Sequence, residues 1–452
     1  RNAGFLGPLF VLVISTIEGV LEFLHAGGVF WRRGADGVLT SKFWSWLSIL
    51  DLNQPPGQPF TWLPSRASGW LWWRGSRVLQ DLTLDNRHVE VIDEFPFFSY
   101  LLSDLHPHVL AMPFTLLAVA LALNLFIGGN SFLHKSHRLV DWLRNWTFWL
   151  TALILGSLAF INTWDFPIYV ALFCLVWAFM RYKKDGWSAG ILWELLKNGL
   201  ILGVTGVLLY LPFYIGFDSQ AGGILPSLAF MTRGVHFWVL FASLLVPILF
   251  FCLHIAKRKL DRKSMWLGAK VTLILLVVLF AVMMLYGALL LSFQQWGPQL
   301  ATSQNAFFSI LGAKMSQGGS AFSGVHGGYP TGEILSQSLL RRLRAPGTWL
   351  TLGFLLTITI GALLKRQGNA SMGTASEDDA SPANGIRGIE YFILILVFFG
   401  LLLTVFPEFF YLRDQFGTRM NTIFKFYFQA WIFWGIAAAA GSAILFHQLR
   451  GW

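Results

Sequence analysis

Asp104-Leu-His-Pro-His108 puts a carboxylate and two imidazoles where a polar segment gives way to an apolar run that continues to Ile127. Ionisable groups at a membrane edge are costly, so they are functional candidates by default. Pro107 suits the first turn of a helix, where its missing N–H would be unpaired anyway. The residues before it then lie at the positive helix end, where anions and phosphates bind. Asp104 or Glu94 could deprotonate an acceptor hydroxyl. Asp104, His106 and His108 are the candidate ligands of a divalent cation, Mg or Mn, that would neutralise a leaving phosphate. An H-x-H pair alone lacks a third placed ligand and equally suits capping of the helix. Asp165, in the break Asn162-Thr-Trp-Asp165, reads either as a site carboxylate or as a plain helix N-terminal residue. Arg74, Arg77, Arg413, Arg419 and Lys425 are candidate phosphate partners, since the arginine fork matches phosphate geometry. Arg413 and Asp414 also suit a structural ion pair. Glu18 and Glu22 share a helix face, and an ionised pair inside a span must face protein or water.

The elements that carry these groups follow from composition. The chain has 452 residues, 55% hydrophobic and only 12% charged, with mean hydropathy +0.58. That excludes a soluble globular protein and makes the class an all-α polytopic membrane protein. Spans of roughly 20 apolar residues fall near 5–25, 107–127, 146–161, 166–180, 196–215, 236–256, 270–292, 347–364, 389–406 and 422–446, ten in all. The 146–161 and 166–180 pair reads as two tilted spans or one broken helix. Cys174 and Cys252 lie inside apolar runs and read as small hydrophobes. The net charge of +10 is ordinary for a class whose cytoplasmic loops are basic, and implies no nucleic-acid partner. The chain begins at Arg1 just before a span and is expected to be a piece of a longer protein.

Basic residues fix an orientation. Connections holding Arg144, Lys184, Lys259 and Lys365 alternate with acidic and tryptophan-rich ones, which puts the former inside and the latter outside. Residues 26–106 then form an outer loop, with 42–52 and 68–82 as amphipathic interfacial helices. Residues 293–346 form a second outer loop with a mobile Gly/Ser-rich part at 317–328. Residues 367–388 are a disordered cytoplasmic linker. Arg341, Arg342 and Arg344 depart from the charge rule, which suggests an anionic contact there. All the candidate site residues face the extracytoplasmic side of a multi-pass membrane protein.

Glu94-Phe-Pro-Phe-Phe-Ser-Tyr-Leu-Leu-Ser-Asp-Leu-His-Pro-His108, Trp73-Arg-Gly-Ser-Arg77, Asn162-Thr-Trp-Asp-Phe-Pro167 and Arg413-Asp-Gln-Phe-Gly-Thr-Arg-Met-Asn421 with Lys425 resemble the Chlor-Arch-YYY family. That is a prokaryotic group of large membrane proteins carrying a domain of unknown function. The resemblance spans nearly the whole chain. The tyrosine motif that names the family is absent and is expected before Arg1. The family is similar to GT-C glycosyltransferases, which take a sugar from a polyprenyl-phosphate donor at the outer face. The resemblance therefore implies a GT-C-like fold and a lipid-phosphate-sugar donor. It also implies that the acidic motif after a first GT-C span would precede Arg1, which makes Asp104 a substitute for the usual catalytic carboxylate. The other reading is a non-enzymatic transporter or a structural subunit of a membrane complex. A transporter would show internal repeats, which the sequence lacks.

Overall fold

The computed structural model describes residues 2–64, 71–103, 105–129, 132–135, 139–218, 222–365 and 386–449. Asp104 and nearly all of the 367–388 linker lie outside them. Among the described residues, eight helices are long and apolar enough to cross a membrane. They are Pro107–Phe126, Asp165–Asp185, Ala189–Leu209, Gly234–Lys259, Arg262–Gln294 within a longer helix, Gly347–Leu364, Gly388–Phe409 and Met420–Gln448. The shorter Trp146–Ile161 helix and a bent pair, Ala3–Val13 and Glu18–Ala26, account for the other two apolar segments. The protein is thus an all-α polytopic membrane protein.

Local chemistry explains the helix ends. Pro107 opens its helix at the first turn, with His106 at the extended residue before it but making no side-chain cap. The 146–161 and 166–180 segments are two helices, not one. Asn145 caps the first through its Oδ1, and Asn162 ends it in an extended conformation. Asp165 starts the next helix, its N–H donating to the Asn162 carbonyl at 2.9 Å.

The first apolar segment is not a continuous span. It bends by 62° between Val13 and Glu18. Backbone polar groups in hydrocarbon must be satisfied within the protein. Here the Ile17 N–H donates to the Val239 carbonyl of the Gly234–Lys259 helix at 3.1 Å.

The helices pack through small residues, as membrane helices do. A Cβ on Gly268 would sit 2.1 Å from the Thr357 carbonyl, and one on Gly234 would sit 2.7 Å from Gly347 Cα. The Arg262–Ala301 helix runs for about 60 Å at 1.5 Å per residue, roughly twice the hydrocarbon thickness. The Ala306–Val325 helix folds back along it. The Gly/Ser-rich 317–328 stretch, expected as a mobile loop, is therefore helical as far as Val325. Its glycines allow close packing rather than motion, since a Cβ on Gly319 would lie 2.6 Å from the Gln294 nitrogen.

The basic connections meet at one end. Lys183 Nζ reaches the Lys365 carbonyl at 2.5 Å and Tyr391 Oη at 3.1 Å. Lys259 pairs with buried Glu390 at 2.6 Å.

In the 26–106 segment, Lys42–Leu47 is helical and is capped by Ser41. Trp44 is buried, its indole N–H donating to the Val29 carbonyl at 2.8 Å. The second interfacial helix expected at 68–82 is only Leu71–Gly75. The chain then enters a hairpin, Gln80–Leu82 antiparallel to His88–Glu90. Period-2 burial in that strand escaped a reading built on helical periodicity. Ile224–Pro226 pairs antiparallel with Phe410–Leu412, which ties the segment before the Gly234 helix to the segment before Arg419.

The three arginines on the Thr331–Arg344 helix require a correction. Arg341 donates to the carbonyls of Leu82, Thr83 and Leu84 at 2.7–3.1 Å. Buried Arg342 donates to the carbonyls of Leu228, Ser338 and Glu408 at 3.0–3.2 Å. The partners of these two are mostly backbone oxygens, joined by Asn86 Oδ1 for Arg341 and Ser338 Oγ for Arg342, so the helix staples the hairpin to the 227–230 turn and these two arginines need no anionic ligand. Arg344 is exposed.

Candidate functional site

Two polar centres form from the candidate residues, and they differ in kind. The first is a closed clamp around Arg419. Its guanidinium is fully buried. It holds Asp81 through two contacts, at 2.6 and 2.8 Å, and Glu408 at 2.8 Å. It also reaches the Pro407 carbonyl and Thr232 Oγ1, each at 3.2 Å. The Thr232 N–H donates to both Glu408 oxygens, at 3.0 and 3.2 Å. Burial works against the Arg419 charge, but Asp81 and Glu408 outweigh it and hold the guanidinium above its ordinary pKa. Burial also holds the Asp81 carboxyl above its usual value, with Arg419 pulling the other way. Every strong donor of Arg419 is engaged, so this residue joins the hairpin to two membrane helices and has nothing left for a phosphate.

The other candidate arginines are likewise committed or exposed. Arg74 is gripped by Glu22 through two contacts, one of them 2.9 Å, with Asp51 at 3.7 Å. Glu18 and Glu22 are buried and face protein, as a carboxylate pair in an apolar segment must. Arg77 donates to Glu90 at 2.9 Å and to Ser76, and lies 4.2 Å over the Trp73 ring. Arg413 is exposed, its backbone paired with Gly222 and Gly223. It forms no ion pair with Asp414, which accepts the Phe416 N–H instead, at 2.9 Å.

The second centre is open. Glu94 leads into the Pro96–Leu102 helix, and Ser99 on that helix donates to Glu94 Oε2 at 3.2 Å. His108 Nε2 lies 3.6 Å from the same oxygen and 3.4 Å from Ser99 Oγ. The imidazole is fixed edge-on to Phe424 and Phe428, with ring centroids 4.8 and 4.6 Å away. Between those phenylalanines, on the Met420–Leu449 helix, comes Lys425. Its Nζ lies 3.5 Å from Asn162 Oδ1, within electrostatic reach of Asp165 and Glu94. One turn on, Gln429 donates to Asp165 Oδ1 at 2.8 Å and accepts from Tyr169 Oη at 2.6 Å. His106 is exposed at the rim, its ring 5.5 Å from that of His108.

The structure thus brings together Glu94, His106, His108, Asp165 and Lys425, and assigns Arg74, Arg77, Arg413 and Arg419 elsewhere. Sequence reasoning missed Ser99, Tyr169 and Gln429. The available signal was spacing: Tyr169 is i+4 from Asp165, and Gln429 is i+4 from Lys425, inside otherwise apolar runs.

Among the described residues, His108 Nδ1, Asn162 Nδ2 and Asp165 Oδ2 of this centre are buried without a well-formed hydrogen bond, although the Asn162 and Asp165 side chains act on each other. Buried polar groups are normally satisfied, so His108 Nδ1 is the atom here best suited to meet a polar ligand or water. Among the described residues, no three His, Cys, Asp or Glu side chains are placed to hold a metal ion. The expected set of Asp104, His106 and His108 includes a residue outside those described.

Asp93 sets the position of Glu94. Its carboxylate is fully buried and accepts the N–H groups of Val78 and Leu79, both at 3.1 Å. Burial pushes its pKa up to about 8, against the pull of those two donors and of Arg77. Ionising Asp93 therefore costs more in the folded protein than in the unfolded chain. Its contribution to stability is full below the ordinary carboxylate range near pH 4 and is lost as pH rises towards 8. Thermal unfolding in detergent from about pH 5 to 9 should show that decline, and Asp93→Asn should flatten it. An equally steep decline in the variant would assign the effect to other groups.

The whole arrangement sits within one known grouping. No curated protein and no solved structure matches the chain. A family model described as "Uncharacterized membrane protein (DUF2298)" matches residues 1–434. The expected membership in a family of membrane proteins with a domain of unknown function holds at that level, and the match does not bear on a GT-C likeness. With the match running from the bent first pair through Lys425 and Gln429, the chain belongs to the uncharacterized membrane protein (DUF2298) family.

Proposed function

We propose that this protein is a membrane glycosyltransferase that uses a polyprenyl-phosphate sugar. The observation that carries the reading is the convergence of Glu94, His108, Asp165 and Lys425 on one incompletely satisfied polar centre. Lys425, which has no paired carboxylate among the described residues, suits the phosphate of a lipid-linked donor. Glu94, partly exposed and oriented by Ser99, suits a general base. In the reaction, the acceptor hydroxyl oxygen bonds to the anomeric carbon as the bond from that carbon to the phosphate oxygen breaks. The hydroxyl proton passes to the Glu94 or Asp104 carboxylate, and polyprenyl phosphate leaves with the electron pair. Lys425 balances its charge. A divalent cation, Mg or Mn, would be held by Asp104, His106 and His108, the last offering its unengaged Nδ1, and would supply further charge neutralisation. The basic connections at the opposite end of the helices favour an extracytoplasmic site by the charge rule.

A transport reading draws on the broken first segment, a feature transporters use for binding. Arg74 already neutralises Glu22 there, which leaves that break less suited to a coupling ion.

The test is transfer of labelled sugar from polyprenyl-phosphate donors by the full-length protein in bilayers. Glu94→Gln and Asp104→Asn are compared with wild type. Loss of the base should lower transfer by roughly 10²–10⁴-fold. Undiminished transfer by a folded variant removes that residue from the chemistry. Absence of transfer by wild type across a panel of such donors sinks the glycosyltransferase reading.

A further inference from the structure

One groove lies remote from the polar centre. It has a volume of about 670 Å³ and is lined by the bent first pair, the Gly234–Lys259 helix and the Met420–Leu449 helix. Along the middle helix its wall is a single face, with Ala242, Val246, Phe250, His254 and Arg258 in sequence. That stripe is about 24 Å long at 1.5 Å per residue. One bilayer leaflet with its headgroups is about 20–22 Å deep, so the groove matches a single leaflet in depth.

Its two ends differ. The deep part is walled by side chains such as Ile14 and Val246. The end at the basic connections carries Arg258, His254 and Gln448. His254 Nε2 and Gln448 Oε1 are buried without a hydrogen-bond partner. Of the neighbouring cations, Lys259 pairs with Glu390 and Lys365 holds the Lys259 carbonyl, while Lys257 is exposed and is not among the groove's lining residues. Arg258 is exposed, and no ion pair or hydrogen bond engages it among the described residues.

We infer that this groove is a binding site for an anionic phospholipid of the bilayer. Its acyl chain lies along Ala242, Val246 and Phe250, and its phosphate is held by Arg258. Gln448 Oε1 is an acceptor for a headgroup hydroxyl, and His254 Nε2 adds a second polar contact beside the phosphate. Arginine supplies the forked geometry that phosphate favours, and the apolar wall stands in for the neighbouring acyl chains of the bulk bilayer.

Native mass spectrometry of the delipidated full-length protein tests this, with phosphatidylglycerol and phosphatidylcholine added at equal concentration. Wild type should retain phosphatidylglycerol about tenfold more than phosphatidylcholine, and Arg258→Ala should erase that preference. Val246→Trp, at an exposed lining position, should lower occupancy by both lipids. Equal retention by wild type, a preference that survives Arg258→Ala, or unchanged occupancy in Val246→Trp would each overturn the site. So would a Val246→Cys variant that cross-links to a second copy or to a co-purified protein.

Discussion

Replacing Arg419 with methionine is expected to destabilise the protein by about 3–5 kcal/mol or more, the range seen when one partner of a buried ion pair is removed. The side chain is completely buried, and so are both carboxylates it serves, Asp81 and Glu408. Methionine fills much of the volume but leaves those two carboxylates without their cation. They must then take up protons or remain charged in a medium that penalises charge heavily. The damage is spread, because Asp81 belongs to the 80–90 hairpin, Glu408 ends one membrane helix, and Arg419 precedes the next. Thermal unfolding in detergent measures the loss. The triple variant Arg419→Met, Asp81→Asn, Glu408→Gln should recover part of it, since replacing every charge is far less costly than orphaning two. If the single variant melts within about 1 kcal/mol of wild type, the clamp does not hold these elements together.

That clamp also marks the limit of what the sequence could reveal. The ten apolar segments were readable because lipid imposes length and hydropathy on every span. The bend between Val13 and Glu18 was not, because it depends on a partner far along the chain, the Val239 carbonyl. The hairpin at Gln80–Leu82 was missed because three residues carry too little periodicity to register beside helical segments. The arginines show the same limit more sharply. A guanidinium that binds substrate and one that binds its own protein look alike in sequence. What separates them here is a counter-ion 338 residues away for Arg419 and 52 away for Arg74. Charge spacing therefore gathered the right residue types but could not sort the closed clamp from the open centre. The block around Glu94 and His108 was legible because its members are close in sequence and are brought together by one short helix, Pro96–Leu102.

Lys425 is the candidate cation for which the opposite result is expected. Among the described residues its Nζ hydrogen-bonds Asn162 Oδ1 at 3.5 Å and lies 5.0 Å over the Phe424 ring, with Asp165 and Glu94 near enough to act on it but beyond pairing distance. Asp165 is instead tied through one oxygen to Gln429, and its side chain also interacts with that of Asn162. A lysine built into the fold would have been given a carboxylate, as Lys259 was given Glu390. Lys425→Met should therefore leave stability within about 1 kcal/mol of wild type, since it removes a partly buried charge that no protein group fully repays. Its effect should fall on transfer. Removing one group that stabilises developing charge costs about 10²–10³-fold in rate, and Lys425 faces the position proposed for the leaving phosphate. Lys425→Arg keeps the charge and should restore part of the rate, whereas Lys425→Gln should not. Parallel melting curves and donor-transfer assays read the two quantities separately. A Lys425→Met variant that loses stability as Arg419→Met does, yet transfers sugar at the wild-type rate, would make Lys425 a structural cation. The charge that completes the centre would then have to come from elsewhere.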